Sequence, residues 1–390
     1  MKILSVVGAR PNFMKIAPFI KAIDEYNLSG DIRIDHILVH TGQHYDIRMS
    51  EAFFKGLSIP DPDINLEIGS GSHAEQLGNT MIAFEKVLLA QRPDWVVVVG
   101  DVNATLACSV IAKRLLINVC HIEAGLRSGD MTMPEEINRL VTDRISDLLL
   151  TPDRISSENL LKEGTPPSRI HFVGNIMIDT LESNRNIAAN LSPGTIIGNN
   201  LIKGLNGSHP VLKDGNYGLI TLHRPSNVDH EETFKPLINF LLSEVAEDLV
   251  LLWPIHPRAM KQLRAMQLWN KVLSHPSLIL LEPLNYHEML RLNMGARIVF
   301  TDSGGLQEEC CVLGTPCLTL RWNTERPVTL REHGGVSVLV GNNLAMIREE
   351  YRKTLTLYRT PSRPELWDGK TAGRIVSKIV EYSGEFKTVV

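Results

Sequence analysis

The segment WVVVVGDVNATLACSVIAKRLLINVCHI, residues 95–122, determines the fold that the sequence predicts. It begins with a tryptophan and four consecutive valines, continues through a stretch of helical period, and ends in a second short apolar run. Short apolar runs rich in β-branched residues are typical of strands covered on both faces, and a helix between two of them makes the strands parallel. The segment therefore predicts a β-α-β unit.

The same alternation extends outward from this unit in both directions. The further strands predicted before the middle of the chain are ILSVVG (3–8), DHILVH (35–40), DLLLT (147–151) and RIHFVG (169–174). A second series contains YGLITLH (217–223), DLVLLWPIH (248–256), LILLEP (278–283), ARIVFTDS (296–303), TPCLTL (315–320) and VSVLV (336–340). The pattern predicts an α/β protein with two doubly wound domains and sites at their facing carboxyl edges.

The segment SPGTIIGNNLIKGLNGSHPVLKDGN, residues 192–216, is dense in Gly, Pro, Asn and Ser and indicates a mobile connection. The boundary is placed near 175–215, with a first domain over 1–180 and a second over 210–365. The amphipathic stretch TAGRIVSKIVEY (371–382) predicts a C-terminal helix within 366–390 that packs back on the first domain.

Composition excludes several classes of function. A net charge of -4, with 43% hydrophobic and 22% charged residues, is typical of a globular protein with no electrostatic attraction to nucleic acid or an anionic membrane. Five cysteines without a CxxC pair argue against a disulfide framework and a zinc site. The start MKILSVVGAR reads as a strand rather than a signal peptide, so we expect a cytoplasmic protein.

A cluster of charged residues follows the strand at 117–122. The segment HIEAGLRSGDMTMPEEINR (121–139) contains Glu123, Glu135 and Arg139, at the sheet edge where open α/β folds bind ligands. Asp101 follows the preceding strand, and a neighbouring carboxylate would raise the pKa of one of the two acids. The alternatives are a solvated loop before a helix with acids in its first turn, and for Asp101 a helix cap.

The segment TDSGGLQEE (301–309) follows a strand and begins a helix. Ser303 is suited to cap that helix, and Gly304 and Gly305 let a phosphate approach the free backbone amides, which predicts a diphosphate cradle. Glu308 or Glu309, about one turn further along, is suited to accept both hydroxyls of a ribose. The alternative is a plain serine-capped helix.

Cationic residues stand at several other strand ends. Arg10 and Lys15 follow the first strand and are suited to bind a phosphate oxygen. The alternative for Lys15 is an ordinary lysine on a helix surface. His223 and His256 each end a strand and are followed within two residues by an arginine, an arrangement suited to protonating a leaving phosphate oxygen. Arg326, in RWNTERP (321–327), is suited to close over a phosphate or a sugar, unless this segment is merely surface. No nucleophile elbow or metal-ligand spacing is present in the sequence.

Nine motifs, in order, resemble those of the non-hydrolysing UDP-N-acetylglucosamine 2-epimerases. They are GARPNFMKIAP, HTGQHYD, GDVNATLA, HIEAGLRS, PEEINR, TLHRPSNVD, PIHPR, TDSGGLQEE and TERP, and they extend from residue 8 to residue 327. The resemblance implies a glycosyltransferase-B type fold with two Rossmann-like domains around a cleft. It also implies an enzyme that works without NAD and usually as a homodimer. It also implies elimination of UDP from UDP-GlcNAc to an enzyme-held 2-acetamidoglucal and re-addition to give UDP-ManNAc, a step in polysaccharide biosynthesis.

The resemblance also assigns roles to individual positions. It makes Asp101, Glu123 and Glu135 the acid/base carboxylates around the sugar and His223 the catalytic group that meets the diphosphate. The predicted substrate-binding residues are Arg10, Lys15, Arg139, His256, Leu284, Met289, Ser303, Gly304, Gly305, Glu309 and Arg326, of which Glu309 would bind the ribose. Which of the acids removes the proton is left open.

The chain departs from the family pattern at two places. Many family members have HRRE where this chain has HRPS (223–226), and many bacterial members have AQHRxM where it has GQHYDI (42–47). The second stretch is linked in the family to activation by another substrate molecule, so activation by UDP-GlcNAc is not expected of this chain. The alternative substrate is a related UDP-sugar, such as a diacetamido uronic acid. The sequence also leaves open a glycosyltransferase, a hydrolysing epimerase and a nucleotide-sugar sensor.

Overall fold

The computed structural model describes residues 1–8, 10–42, 59–202 and 212–387. The chain divides into two compact units, one formed by Met1–Ser183 with Pro364–Val390 and the other by Asn184–Arg363. The division falls within the helix Ile176–Ala189. Each unit contains one parallel β-sheet flanked by helices, and the prediction of two doubly wound α/β domains is confirmed.

The sheet of the first unit has seven parallel strands. Their bounds are β1 Lys2–Val7, β2 Asp35–His40, β3 Ile64–Asn65, β4 Trp95–Val99, β5 Asn118–Ile122, β6 Leu148–Thr151 and β7 Ile170–Phe172. Their order across the sheet is β3-β2-β1-β4-β5-β6-β7. Every residue of β4 is buried, as expected for a central strand with helices on both faces. The order reverses between β1 and β4, so the carboxyl ends of these strands form a switch point.

The first unit contains seven helices in the described part of the chain. They are Arg10–Ser29, His73–Gln91, Asn103–Arg114, Pro134–Ile145, Arg154–Lys162, Ile176–Ala189 and the C-terminal Thr371–Lys387. The last of these packs against Arg10–Ser29. Its first turn is bound by the buried carboxylate of Asp179, which accepts from the backbone N–H groups of Thr371 (3.1 Å) and Ala372 (2.7 Å).

The sheet of the second unit has six parallel strands. Their bounds are β8 Tyr217–Thr221, β9 Val250–Pro254, β10 Leu278–Leu281, β11 Ile298–Thr301, β12 Cys317–Thr319 and β13 Ser337–Leu339. Their order is β10-β9-β8-β11-β12-β13, so the switch point lies between β8 and β11. The longer helices are Glu231–Phe240, Pro257–Ala265, Tyr286–Gly295, Gly304–Leu313 and Leu344–Thr356, and short ones are Pro193–Asn200, Pro225–Val228, Ala246–Asp248 and Trp269–Leu273.

The expectation that residues 192–216 form only a mobile connection is wrong for their first part. Residues Pro193–Asn200 form a helix, and residues 203–211 lie outside the described part of the chain. Proline at the first helical position already has the backbone angle of a helix, and Ile196 and Ile197 are buried. Apolar burial therefore outweighs the loop-forming composition.

All five cysteines are buried and free. In the described part of the chain, no helix combines the length and apolar character needed to cross a bilayer.

Candidate active site

The first group of predicted site residues lies at the carboxyl ends of β4 and β5. Gly100, directly after β4, has a φ of +69°, and a Cβ added there would lie 3.0 Å from Lys15 Nζ and 3.5 Å from Glu123 Oε2. The positive φ favours glycine, and the adjacent side chains leave little room for a Cβ. Lys15, Asp101, Glu123 and Arg139 lie around this turn and are called the acid cluster below.

Glu123 follows β5 and forms an ion pair with Lys15 through its Oε2 atom. Both side chains are more than nine-tenths buried, so Lys15 is not an ordinary surface lysine. The other oxygen, Oε1, is buried and has no hydrogen-bond partner among the described residues. Glu123 also has a φ of +71°, a left-handed conformation that costs a non-glycine residue about 1–3 kcal/mol.

Asp101 does not cap the following helix. The helix Asn103–Arg114 begins without a side-chain cap, and the Asp101 carboxylate instead forms an ion pair with Arg139. Arg139 is buried, whereas the Asp101 side chain keeps a quarter of its surface exposed. The backbone carbonyl of Asp101 is also fixed, because it accepts from the Asn138 side chain at 2.8 Å.

Glu135 and its neighbour Glu136 have different environments. Glu135 is exposed in the first turn of Pro134–Ile145, whereas Glu136 is buried. Glu136 accepts from the backbone N–H groups of Ser128 and Gly129 and from Arg139, whose Nη2 lies 2.5 Å away. Burial by itself raises the pKa of Glu136, but the bonds from Ser128, Arg139 and Gly129 hold it below its ordinary value. Glu136 was not among the predicted site residues, although its spacing of three from Arg139 places both on one helix face.

A second buried pair in the first unit was also not predicted. His121, within β5, lies with Nδ1 2.6 Å from Asp143 Oδ1 and Nε2 2.8 Å from the Gly100 carbonyl oxygen. Asp143 also accepts from the Gly125 backbone N–H at 3.0 Å and from Arg127 at 2.7 Å. This group, called the His121–Asp143 network, connects the loops that carry Asp101 and Glu123.

The second group of predicted residues lies at the carboxyl ends of β8 and β11. His223 Nδ1 is 2.7 Å from Oδ1 of Asp302, which is fully buried, while two-fifths of the His223 side chain is exposed. Asp302 also accepts from the His223 and Arg224 backbone N–H groups and from Asn227. Burial raises the pKa of Asp302, but His223, Arg224 and Asn227 together hold it below its ordinary value. Asp302 is therefore ionised and orients the His223 ring.

His256 is exposed and close to His223, with ring centroids 5.5 Å apart. Its Nδ1 atom accepts from the Arg258 backbone N–H at 3.1 Å and so caps the helix Pro257–Ala265. Arg258 itself pairs with Asp229 at 2.6 Å. The two strand-terminal histidines thus lie together at the carboxyl edge of this sheet.

The helix Gly304–Leu313 begins at the carboxyl end of β11. Ser303 occupies the capping position, but its side chain makes no capping bond, which corrects the predicted role of its hydroxyl. A Cβ at Gly304 would lie 2.6 Å from Arg326 Nη1 and 2.7 Å from Glu325 Oε1, whereas a Cβ at Gly305 would meet nothing within 4 Å. The first backbone N–H groups of a helix have no partner within it, so the open side at Gly305 is able to receive an anion.

Arg326 is buried and is not part of an exposed surface segment. Its Nε lies 2.7 Å from Glu308 Oε1, and its Nη1 pairs with Glu325. Glu325 also pairs with the buried Arg321 at 2.6 Å. These alternating charges form a buried chain beneath Gly304.

Glu309 lies further along the same helix and is 5% exposed. Burial raises its pKa to about 7, against the lowering effect of hydrogen bonds from Tyr286 and Asn293, and Glu308 raises it further. Leu284 is buried in the apolar cluster that contains Leu306, and Met289 packs against that cluster. The side chain of Arg10 and the residues GQHYDI beyond Gly42 lie outside the described residues.

Comparison with known proteins identifies one family. The family model described as UDP-N-acetylglucosamine 2-epimerase matches residues 27–380. A UDP-N-acetylglucosamine 2-epimerase from Methanocaldococcus jannaschii is 41% identical over 384 residues, which cover 98% of this chain and 99% of that protein. A UDP-2,3-diacetamido-2,3-dideoxy-D-glucuronate 2-epimerase from Pseudomonas aeruginosa is 36% identical over 389 residues, which cover 98% and 99% of the two chains.

A solved structure agrees with the sequence relatives. The crystal structure of the M. jannaschii UDP-GlcNAc 2-epimerase in complex with UDP-GlcNAc and UDP matches with a TM-score of 0.85 at 40% sequence identity. The match covers 98% of this chain and 100% of that chain.

Proposed function

The chain belongs to the UDP-N-acetylglucosamine 2-epimerase family, and we propose that it is an isomerase that interconverts UDP-GlcNAc and UDP-ManNAc. The reaction removes the C2 proton while the C1–O bond breaks and UDP leaves with the electron pair, giving 2-acetamidoglucal. UDP then adds back at C1 while C2 receives a proton on the opposite face. The sequence identity over almost the whole chain supports this assignment.

The acid cluster of the first unit supplies the proton transfers. One observation carries this proposal: Glu123 has one oxygen held by Lys15 and a second, buried oxygen without a partner among the described residues. A fixed carboxylate with a free oxygen is suited to take a proton. Asp101, held by Arg139, and the exposed Glu135 are the other proposed acid/base groups.

The second unit holds the nucleotide. His223, oriented by Asp302, presents Nε2 as a donor to the leaving diphosphate oxygen, with His256 beside it. The backbone amides at Ser303, Gly304 and Gly305 bind the phosphates, with Arg326 beneath Gly304. Glu309 accepts the ribose hydroxyls, and Leu284 and Met289 provide apolar contacts to the nucleotide. Lys15, Arg139 and Arg10 complete the proposed binding set.

We also propose that the enzyme is a cytoplasmic homodimer that supplies a sugar nucleotide for polysaccharide biosynthesis. Five free cysteines are typical of a reducing compartment. The helices His73–Gln91 and Pro134–Ile145 both pack on Asn103–Arg114 and leave Ile82, Leu89, Ile137 and Val141 exposed. Such a set of apolar residues is suited to bury against a second copy. Sedimentation equilibrium tests this, and a monomer at micromolar concentration would contradict it.

A second candidate substrate is a UDP-diacetamido uronic acid. It is supported by the P. aeruginosa relative, which is 36% identical over 98% of the chain. The chemistry at C2 would be the same, and only the groups that contact C3 and C6 would differ.

Product analysis tests these proposals directly. The purified chain is incubated separately with UDP-GlcNAc and the diacetamido uronate, and the products are identified by proton NMR. We expect UDP-ManNAc from the first substrate. Turnover of the uronate alone would favour the second candidate, while free ManNAc with UDP would indicate a hydrolysing enzyme. An inert protein that becomes active only with an acceptor would indicate a glycosyltransferase.

A further inference from the structure

The helix Pro134–Ile145 turns a charged face toward the sheet and an apolar face away from it. Glu136, Arg139 and Asp143, spaced three and four apart, are all buried, whereas Ile137 and Val141 are exposed. Burying three charged side chains on one face is costly unless each is paired and hydrogen-bonded. Each of the three binds a loop at the carboxyl edge of the sheet, so the charged face of the helix fixes the positions of these loops.

Asp143 is the residue on this face that binds both β5, through His121, and the loop after β5, through Gly125 and Arg127. Its Oδ1 faces His121 Nδ1, and its Oδ2 accepts from Arg127 and from the Gly125 backbone N–H. Burial raises the pKa of Asp143, but His121 and Arg127 hold it below its ordinary value, so the group is a carboxylate. Arg127 is in turn fixed by two bonds of 2.8 Å to Glu163.

The two ring nitrogens of His121 bind two different elements. Its Nε2 faces the Gly100 carbonyl oxygen, which can only accept, so Nε2 carries a hydrogen and donates it. Its Nδ1 lies 2.6 Å from Asp143 Oδ1. The fully buried ring of His121 therefore bridges Gly100 and Asp143.

The two ends of this network flank the proposed proton-transfer groups. Gly100 precedes Asp101, and Gly125 lies two residues after Glu123. Both glycines and Glu123 have positive φ, of +69°, +82° and +71° respectively. A left-handed glutamate persists only where its surroundings hold it, and the bond from Gly125 to Asp143 does so here.

We propose that His121 and Asp143 are positioning residues for the acid/base chemistry, which hold the Glu123–Gly125 turn and the Gly100–Asp101 peptide in the geometry required for proton transfer at C2. The inference rests on the proposed epimerase function. Both residues act through the loops that they hold and not by touching the sugar. Their loss therefore lowers kcat and leaves the binding of UDP, which depends on the second unit, unchanged.

The test compares Asp143→Ala and Asp143→Asn in the full-length protein. Each variant is assayed for kcat and KM by deuterium exchange at C2 of UDP-GlcNAc, for UDP affinity by calorimetry, and for the folded fraction by urea unfolding. In Asp143→Asn the amide oxygen still accepts from Arg127 and Gly125, and the amide N–H₂ group lies where it can bond to His121 Nδ1. We expect Asp143→Ala to lose about 100-fold in kcat per folded molecule, and Asp143→Asn to recover most of it, with UDP affinity unchanged in both.

Asp147→Ala is the matched control. Asp147 accepts from the backbone N–H of Val119 and from Lys113, both at 2.8 Å, and so supports the other end of the same strand. Its loss should lower stability without lowering kcat. Equal kcat values in Asp143→Ala and Asp147→Ala would overturn the inference, as would an Asp143→Asn as inactive as the alanine variant.

A further variant, His121→Asn, tests the inference if Asp143→Ala does not fold. Asparagine at position 121 is too short to bridge Asp143 and Gly100, so His121→Asn should show the same fall in kcat, and a wild-type kcat would overturn the inference. The wild-type reaction separates the two proposals. An inactive wild type contradicts the proposed function, whereas an active wild type with an undiminished Asp143→Ala contradicts only the positioning role.

Discussion

Lys15 and Glu123 form an ion pair in which both side chains are more than nine-tenths buried. One comes from the helix after β1 and the other from the turn after β5, so the pair joins the carboxyl ends of two strands that are not neighbours in the sheet. A buried pair of this kind is weak evidence for stability by itself, but removal of one partner leaves an uncompensated charge. Its geometry also leaves Glu123 Oε1 without a hydrogen-bond partner in the part of the chain that the structure describes.

Replacement of Lys15 by methionine tests the ion pair. The neutral side chain strands the Glu123 carboxylate, so we expect the free energy of unfolding to fall by about 3–5 kcal/mol. Lys113→Met is the control, because its pair with Asp147 is only partly buried and should contribute about 1 kcal/mol or less. Urea unfolding of both variants measures the difference. Equal losses would show that burial of the Lys15–Glu123 pair has no special cost.

Gly100 is predicted to tolerate no side chain. In Gly100→Ala the strain of a positive φ adds to a contact between the new Cβ and Lys15 Nζ, 3.0 Å away. Gly164→Ala is the control for backbone strain without a close contact, because φ at Gly164 is +82° and a Cβ there would meet nothing within 4 Å. We expect both variants to lose about 1 kcal/mol or more of stability, and only Gly100→Ala to lose activity. Wild-type turnover in Gly100→Ala would mean that the acid cluster does not depend on this close packing.

The two glycines at the start of the helix Gly304–Leu313 are expected to respond differently. A Cβ at Gly304 would collide with the buried Arg326 and Glu325, so Gly304→Ala should lower stability as well as UDP affinity. A Cβ at Gly305 enters open space, so Gly305→Ala should fold normally and lose UDP affinity only if a phosphate occupies that space. Calorimetric titration with UDP decides this. Unchanged affinity in Gly305→Ala would place the phosphates elsewhere.

Glu309 should make UDP binding depend on pH. Burial raises its pKa to about 7, so the folded free protein is partly protonated at neutrality. Ribose hydroxyls donate to the ionised carboxylate, so binding releases a proton and affinity should rise as pH increases through about 7. Titrations with UDP across this range, repeated with Glu309→Gln, test the prediction. Equal pH dependence in the wild type and the variant would exclude Glu309 as the source.

The same group gives a stability prediction with the opposite sign. Between the ordinary value of 4.5 and about 7, folded Glu309 holds a proton that the unfolded chain releases. Its contribution to the free energy of unfolding is therefore complete below pH 4.5 and decreases as pH rises through this window. Glu309→Gln should remove that decrease, which urea unfolding at a series of pH values measures.

The sequence predicts the scaffold well because apolar runs report burial directly. The runs WVVVV and ARIVF mark central strands, and the carboxyl edge of a parallel sheet is where Asp101, Glu123 and His223 were expected and are found. It could not predict the partners of buried charges, because they depend on the tertiary fold. Glu136 and Asp143 are charged residues on a predicted helix, and nothing in their type shows that they are buried. The signal available in the sequence was the apolar Ile137 and Val141 on the opposite face of that helix.

Local preferences were also overridden at specific positions. A positive φ is not expected for a glutamate from residue type alone. Glu123 nevertheless has a positive φ, because its ion pair with Lys15 and the turn that continues to Gly125 stabilise this conformation. Asp101 suited a helix cap, but Arg139 from another helix binds it instead. In both cases a tertiary contact outweighs the preference of the isolated segment.

Proton exchange at C2 tests the central claim most directly. The wild-type protein and Glu123→Gln are each incubated with UDP-GlcNAc in deuterium oxide, and deuterium at C2 is followed by NMR while UDP affinity is measured separately. We expect deuterium in the substrate and product pools with the wild type, and no exchange with Glu123→Gln although UDP still binds. Exchange at the wild-type rate in Glu123→Gln, or none in the wild type, would contradict the proposed chemistry.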